Sequence, residues 1–192
     1  MTTSISPKRC AWVPPNDELY QRYHDDEWGV PVFDDRKFFE FLVLESAQAG
    51  LSWITVLRKR ENYRKAFAGF DPNRVAKFNA KHVAQLMQNA GIIRNRLKIE
   101  AAINNAKVFL VIQKEFGAFS KYIWPFVGGK PIRNRFKKFS QLPARTDIAE
   151  TLSSDLKRRG FKFLGPTVMY AHMQATGMVN DHTTDCFRHS KV

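Results

Sequence analysis

The sequence has few acidic residues, very few cysteines and no long apolar run. Asp and Glu number 18 against 31 Lys and Arg among 192 residues, which gives a formal net charge of +13. No stretch of about twenty apolar residues is present, which excludes a membrane-spanning helix. The first ten residues also lack the apolar segment of a secretory signal. We therefore expect a cytoplasmic protein with no membrane partner.

The only two cysteines, Cys10 and Cys186, lie near opposite ends of the chain. In a reducing compartment we expect no structural disulfide between them. The composition, 44% hydrophobic and 26% charged, excludes a disordered chain. The length predicts one domain spanning 1–192.

The excess of basic residues favours a polyanionic partner, because a basic face gains affinity when it displaces counterions from phosphates. Nucleic acid is therefore the expected partner. The alternative is a basic surface that is only solvated.

Apolar residues recur at helical spacing along most of the chain, and β-alternation is scarce. The fold class predicted is all-α. Most predicted helices begin at a capping residue or a proline, and several end at glycine. They span residues 34–50, 52–69, 71–78, 80–90, 95–116, 119–127, 146–159 and 166–176.

Four residues at the two ends of the chain have the types that bind zinc. Cys10 and His24 are 14 positions apart, and His182 and Cys186 are four apart, which is one helical turn. Two thiolates with two imidazoles suit tetrahedral zinc, and a closed set of four would make that zinc structural. The alternative is that each cysteine is an inert buried residue. We interpret His172, within an apolar helix, as a hydrogen-bonded core histidine.

Residues 86–99 join a helix end, Gly91, two β-branched residues and a basic helix start. This order is typical of helix-hairpin-helix modules, in which the second helix points its backbone N–H groups at a DNA phosphate. Arg94, Arg96 and Lys98 would add positive charge. An ordinary turn between two helices, with Gly91 as a C-cap, is the alternative.

Glu45 shares a predicted helix face with Phe38, Phe41 and Leu42, where an unpaired carboxylate is costly. Aromatic residues cluster upstream and downstream of it; they are Trp12, Tyr20, Tyr23, Trp28 and Trp53. Aromatic faces with one buried acceptor suit a nucleobase that has been extracted from a duplex. Each aromatic taken singly could be core, and Glu45 could be a structural anchor.

With these motifs the sequence resembles the bacterial 3-methyladenine DNA glycosylase I family. The matching blocks, several of which are highly specific, include 23–31 (YHDDEWGVP) and 48–53 (QAGLSW). Further blocks match at 9–12, 44–45, 53–56, 59–63, 90–94, 158–163 and 179–182. The resemblance extends from about Arg9 to Cys186 and is weakest in the basic segment 129–146.

The resemblance implies a helix-hairpin-helix glycosylase fold in which one zinc ion joins the N- and C-terminal segments. The implied ligands are Cys10, His24, His182 and Cys186. The implied base pocket contains Glu45, Tyr23 and Trp53, with Trp12, Tyr20 and Trp28 as further walls. Gly50 and Leu51 match the loop that fills the duplex where the base has left. The hairpin would occupy about 80–110, and the ends 1–8 and 188–192 would be frayed.

The implied activity is excision of N3-methyladenine from alkylated double-stranded DNA. The sequence leaves the oligomeric state open, and a monomer is the default expectation. Many helix-hairpin-helix glycosylases carry an aspartate about twenty residues beyond the hairpin, but residues 108–113 contain none, as in the resembled family. N3-methyladenine is cationic in DNA and already a good leaving group, so we expect Glu45 to bind it without a second acid. No lysine is placed for strand cleavage. The alternatives are a DNA-damage-binding protein without activity and a zinc hydrolase.

Overall fold

The structure, a computed structural model, describes residues 7–192. Most of the expected frayed segment 1–8 therefore lies outside the described residues. Within this range the fold is mostly helical, with one pair of two-residue strands. The helices are α1 (Glu18–Asp26), α2 (Asp35–Gln48), α3 (Trp53–Ala66), α4 (Pro72–Val75), α5 (Ala80–Gln88), α6 (Arg96–Phe116), α7 (Phe119–Ile123), α8 (Asp147–Arg158) and α9 (Pro166–Ala175). Short 3-10 helices lie at Ala68–Phe70, Trp124–Val127 and Phe139–Gln141.

Local capping explains where several helices begin. The side chains of Asp34, Asn95 and Thr146 accept hydrogen bonds from backbone N–H groups in the first turns of α2, α6 and α8. Ser52 is the N-cap residue of α3, as the sequence predicts, but its side chain makes no cap hydrogen bond. Its hydroxyl lies 2.7 Å from that of Thr55 instead.

Two features of the fold escaped prediction. Helix α1 has a polar sequence with few apolar positions, although Asp17 caps it by accepting from the Tyr20 N–H. Strands β1 (Ile132–Arg133) and β2 (Val179–Asn180) pair in parallel, with Ile132 opposite Val179. Two residues are too short for any alternating pattern to show in sequence.

Helix α2 forms the centre of the core. Every residue from Phe38 to Ala47 is buried, because α3, α6, α7 and α9 all pack against this helix. Phe39 is fully buried and stacks edge-on against Phe109 of α6, with ring centroids 5.4 Å apart. A helix buried on all sides gives its polar residues no water, so each one must find a partner or a ligand.

The C-terminal segment packs back against the rest of the chain. Asn180 is fully buried, and its side-chain amide donates to the backbone oxygens of His189 and Val192. The end 188–192, expected to be frayed, is therefore hydrogen-bonded to β2. No helix within residues 7–192 is long and apolar enough to cross a membrane.

His172 corrects one expectation from the sequence. It is fully buried in α9, as predicted, but neither of its ring nitrogens has a hydrogen-bond partner within residues 7–192. Burial lowers the pKa of His172 to about 3, so the ring is neutral at physiological pH. It packs against Phe38 at a centroid distance of 5.8 Å.

Candidate functional site

Glu45 lies in the last turns of α2 and is only 4% exposed. Phe41 and Leu42 beside it are also buried, as their spacing predicts. The Glu45 carboxylate makes no hydrogen bond to any residue that the structure describes. Desolvation penalises the charged form, and it raises the pKa of Glu45 to about 8. Helix α2 thus contains a buried acid that has no hydrogen-bond partner among residues 7–192.

Glu45 forms part of the wall of a cavity of about 210 Å³. This volume is below the roughly 300–1,000 Å³ of pockets for drug-sized ligands, and it suits one planar ring system. The structure brings all the sequence-predicted aromatic walls to this one cavity: Trp12, Tyr20, Tyr23, Trp28 and Trp53.

The rings around the cavity contact one another in tilted and edge-on arrangements. Tyr23 and Trp53 have centroids 5.2 Å apart and planes tilted by 48°. Trp12 meets Trp28 edge-on at 5.1 Å. The Trp53 indole nitrogen is buried and has no hydrogen-bond partner within 7–192. The cavity therefore offers aromatic side chains and one acceptor, the Glu45 carboxylate, that has no partner among the described residues.

The two tyrosines of the cavity keep their protons at neutral pH. Burial, and after it the negative charge of Glu45, raises the pKa of Tyr23 well above its ordinary value. The pKa of Tyr20 is also raised, by burial and then by Asp17 and Glu45. Glu45 is consequently the one described residue of the cavity wall that titrates near neutral pH.

Sequence reasoning did not assign five further wall residues, which come from three separate parts of the chain. They are Gln48, Phe139, Leu142, Ala171 and Gln174. Gln48 lies one helical turn beyond Glu45, so its spacing could have identified it. Nothing local in the sequence places the others here.

Gln174 is held by a buried carboxylate. Its amide nitrogen donates to Asp181 at 2.7 Å, and Asp181 is 1% exposed. Asp181 also accepts from the Tyr170 hydroxyl and the Asn134 amide, each at 2.6 Å. Because the amide nitrogen of Gln174 faces Asp181, its amide oxygen is left as a second acceptor on the cavity wall.

The four predicted metal ligands form one buried cluster, whose donor atoms all lie within 4.8 Å of one another. The Cys10 sulfur lies 3.6 Å from His182 Nδ1, and the Cys186 sulfur lies 3.5 Å from His24 Nε2. A tetrahedral ion with thiolate and imidazole ligands requires sulfur–nitrogen separations of roughly 3.5 Å. The cluster can therefore hold a metal ion.

The outer nitrogens of both histidines also have partners. His24 Nδ1 lies 2.7 Å from the carboxylate of Asp25, and His182 Nε2 lies 3.0 Å from the backbone oxygen of Trp28. When the outer nitrogen carries the proton, the inner nitrogen has a free lone pair directed at the cluster. Arg9 donates to Asp25 through both Nε and Nη2 and fixes it in turn.

The cluster and the cavity share a wall. The ring of Trp28 lies 4.6 Å from that of His182, and the ring of Trp12 lies 5.2 Å from that of His24. Cys10 precedes Trp12 by two positions, and Tyr23 directly precedes His24. Whatever fixes the cluster therefore also fixes the aromatic side of the cavity.

The predicted hairpin lies between α5 and α6 and is attached to α3. Tyr63 accepts from the Ile93 N–H at 3.1 Å, and the Lys59 ammonium donates to the Ala90 oxygen. Gly91 is not in the left-handed region, unlike a typical C-cap glycine. A Cβ there would lie 3.0 Å from the Asn62 side chain, so close approach is what requires glycine.

The cations of the hairpin differ in what they contact. Lys98 donates to the backbone oxygens of Ala47 and Ala49, 3.0 and 2.7 Å away, and burial lowers its pKa. Arg96 pairs with Glu100 at 3.5 Å. Arg94 has no acidic partner in the described part of the chain.

Lys98 joins the hairpin to the loop that follows α2. In this loop Gly50 has a φ of +85°, which glycine adopts without strain. Leu51 next to it is 43% exposed, an unusual position for a large apolar side chain. The hairpin, this loop and the cavity wall at Gln48 are therefore one connected region.

These features define a class of helical proteins with an aromatic pocket for one planar ligand, a separate centre able to hold a metal and an exposed hairpin. The family follows from comparison with known proteins. This chain belongs to the Methyladenine glycosylase family, whose family model matches residues 12–189.

Individual relatives agree with that assignment. The chain is 50% identical to a DNA-3-methyladenine glycosylase of Haemophilus influenzae over 178 residues, 93% of this chain and 96% of the relative. A crystal structure of 3-methyladenine DNA glycosylase I is 50% identical, covers 94% of this chain and 98% of its own, and superposes with a TM-score of 0.91. A variant of such an enzyme in complex with 3-methyladenine is 40% identical, with coverage of 93% and 96% and a TM-score of 0.90.

Proposed function

We propose that this protein removes 3-methyladenine from alkylated DNA by hydrolysing the N-glycosidic bond, which leaves an abasic site. Its family and its relatives' names support this reaction. The observation that carries the proposal for this chain is Glu45, a buried and unpartnered acid in an aromatic cavity.

The cavity residues receive the base after it has swung out of the duplex. Glu45 accepts hydrogen bonds from the exocyclic amine of the base, and its negative charge favours a cationic purine over a neutral one. Tyr23 and Trp53 contact the base through the face or the edge of their rings. The other walls of the cavity are formed by Trp12, Tyr20 and Trp28. A neutral purine gains less from the carboxylate, so the cavity selects the lesion by charge.

Hydrolysis of the glycosidic bond of this lesion needs few further catalytic groups from the protein. N3-methyladenine carries a positive charge in DNA, so the glycosidic bond already has a good leaving group, and water completes the hydrolysis. Interactions that favour the separated base then lower the barrier. No lysine is among the described residues of the cavity wall, which agrees with an enzyme that does not cleave the strand.

The DNA backbone is held by the hairpin, which we assign as a helix-hairpin-helix element within 80–110. Backbone N–H groups near Gly91 face a phosphate, with charge from Arg94 and Arg96. Lys98 positions the neighbouring loop as well as adding charge. Leu51, presented by Gly50, fills the space in the duplex that the base has left.

The metal cluster holds one structural zinc ion. Cys10, His24, His182 and Cys186 supply four ligands, so no position is open for a hydrolytic water. Zinc bound there adds its binding energy to folding and ties the two chain ends together. We place the whole of 1–192 in one domain that acts as a monomer.

The test is incubation of the purified protein with methylated duplex DNA, followed by identification of every base set free and of the state of the strand. We expect free 3-methyladenine and intact strands with abasic sites. The Glu45→Gln variant should lose roughly 100-fold or more in rate, whereas Glu18→Gln, an exposed acid on α1, should not. Release of no base by the wild type would refute the proposed function.

A further inference from the structure

Residues 129–142, which we name the basic arm, form an irregular segment between the 3-10 helix Trp124–Val127 and α8. It carries five cationic side chains, all exposed: Lys130, Arg133, Arg135, Lys137 and Lys138. Neither the cavity chemistry nor the metal cluster uses any of these charges.

The charges of the basic arm are largely uncompensated. Arg133 donates to the backbone oxygen of Val192. The other four cations form no ion pair with any acid in the described part of the chain. Positive charges that lie close together without acidic partners repel one another, which destabilises the fold, and they attract a polyanion.

The basic arm is held in a defined position by the C-terminal segment. Its β1 pairs with β2, and the Asn134 N–H donates to the Asn180 oxygen at 3.1 Å. The Thr184 N–H donates to the Phe136 oxygen at 2.8 Å, and Thr184 lies between two of the cluster ligands. The arm is thus attached to the same segment that closes the cluster.

This attachment brings the end of the basic arm to the cavity. Phe139, which is 50% exposed, and Leu142 both line it. Lys137 and Lys138 directly precede Phe139, so their backbones lie within about 7 Å of it along the chain. Another part of the wall, at Gln48, adjoins the loop that Lys98 joins to the hairpin.

We propose that the basic arm is a second DNA-binding element, in which Lys137 and Lys138 contact the phosphates of the nucleotide that enters the cavity. A nucleotide whose base occupies the cavity carries its phosphates to the rim, next to the stretch of chain that bears these two exposed lysines. In the hairpin, Arg96 and Lys98 already have partners, so the arm adds uncompensated charge to that of Arg94. The proposal rests on the proposed function, because it takes the ligand to be an extruded nucleotide.

The experiment measures the affinity for a duplex containing a tetrahydrofuran abasic analogue, by fluorescence anisotropy, between about 50 and about 200 mM salt. The double variant Lys137→Gln with Lys138→Gln should reduce the slope of log affinity against log salt by about two. Its affinity near 0.1 M salt should fall roughly tenfold or more. The matched control is Lys114→Gln with Lys157→Gln, two exposed lysines of α6 and α8 that do not line the cavity.

An unchanged slope in the arm variant, or an equal decrease in the control, overturns the proposal. Binding of free 3-methyladenine, followed by tryptophan fluorescence, should be the same in wild type and arm variant. A loss there would mean that the arm shapes the cavity rather than holding phosphate. Failure of the proposed function is separate, since it appears as absence of base release by the wild type.

Discussion

The metal cluster and the aromatic cavity are adjacent, yet they differ in whether their polar atoms have hydrogen-bond partners. In the cluster, both outer histidine nitrogens have partners, at Asp25 and at the Trp28 oxygen. In the cavity, the Glu45 carboxylate and the Trp53 indole nitrogen have none among the described residues. The difference indicates what each site is suited to: a fully supported donor set suits an ion that stays bound, whereas a group left without a partner suits a ligand that comes and goes.

Removing the cluster should have the largest effect on stability. We expect one zinc ion per chain by elemental analysis, and we expect Cys186→Ser to lose it. The melting temperature should then fall by about 10 °C or more, since structural zinc contributes several kcal/mol to folding. A variant that lost the ion but melted like the wild type would show that the cluster does not stabilise the fold.

His182→Gln and His189→Gln provide a matched pair for the same question. His182 is a cluster residue, and His189 lies nearby outside it, hydrogen-bonded to the Asn134 oxygen. Only the first should lose zinc. Equal zinc loss in both would show that the assigned ligand set is wrong.

The pH dependence of excision should show an effect of up to about a hundredfold in rate, since the ionised fraction of a group with a pKa of about 8 grows by that factor between about pH 6 and about pH 9. The carboxyl of Glu45 in the empty cavity loses its proton around pH 8, and only the carboxylate attracts a cationic base. Single-turnover release at low protein concentration should therefore rise from about pH 6 to about pH 9 and then level off. Tyr20 and Tyr23 stay protonated across this range.

The control for the pH profile is the residual activity of Glu45→Gln, which should not rise in that range. A wild-type profile that falls as pH increases would contradict the assignment of Glu45 as the carboxylate that binds the base.

Lys98→Met should have the smallest effect, because it removes one positive charge and breaks the link from the hairpin to the loop after α2. We expect affinity for the abasic-analogue duplex to fall roughly threefold to tenfold, equivalent to about 1 kcal/mol. Affinity for free 3-methyladenine, measured by calorimetry, should not change. Arg96→Met is the control for the lost charge, because it removes one positive charge of the hairpin without breaking a contact to that loop. If binding of free 3-methyladenine decreased more than binding of the duplex, the result would show that Lys98 maintains the shape of the cavity instead.

Features of the fold that depend on neighbouring residues in sequence could be predicted. The caps at Asp34, Asn95 and Thr146 are local, and so is the helical face that buries Glu45. Ser52 shows the limit of this reasoning, since its hydroxyl had a competing partner one turn away at Thr55.

The parts of the candidate site that could not be predicted depend on contacts between distant segments. Gln174 reaches the cavity because Asp181 holds it, and Phe139 reaches it because β1 pairs with β2. His172 is buried as expected, but only the packed core around it shows that its ring nitrogens are unpaired. The close approach of Asn62 to Gly91 is likewise visible only in three dimensions.

The central claim is that Glu45 has no partner in the empty cavity and that this lowers the stability of the protein. The most direct test is to measure the free energy of unfolding of wild type and Glu45→Gln between about pH 4.5 and about pH 8. The folded carboxyl keeps its proton up to about pH 8, while in the unfolded chain it ionises near its ordinary value of 4.5. Wild-type stability from this group is therefore lost as pH rises across that range. We predict that Glu45→Gln is the more stable protein at pH 8, by up to a few kcal/mol, with the advantage shrinking towards pH 4.5 and with excision reduced roughly 100-fold or more. If Glu45→Gln were less stable than wild type at pH 8 and still released 3-methyladenine at the wild-type rate, the account would be contradicted.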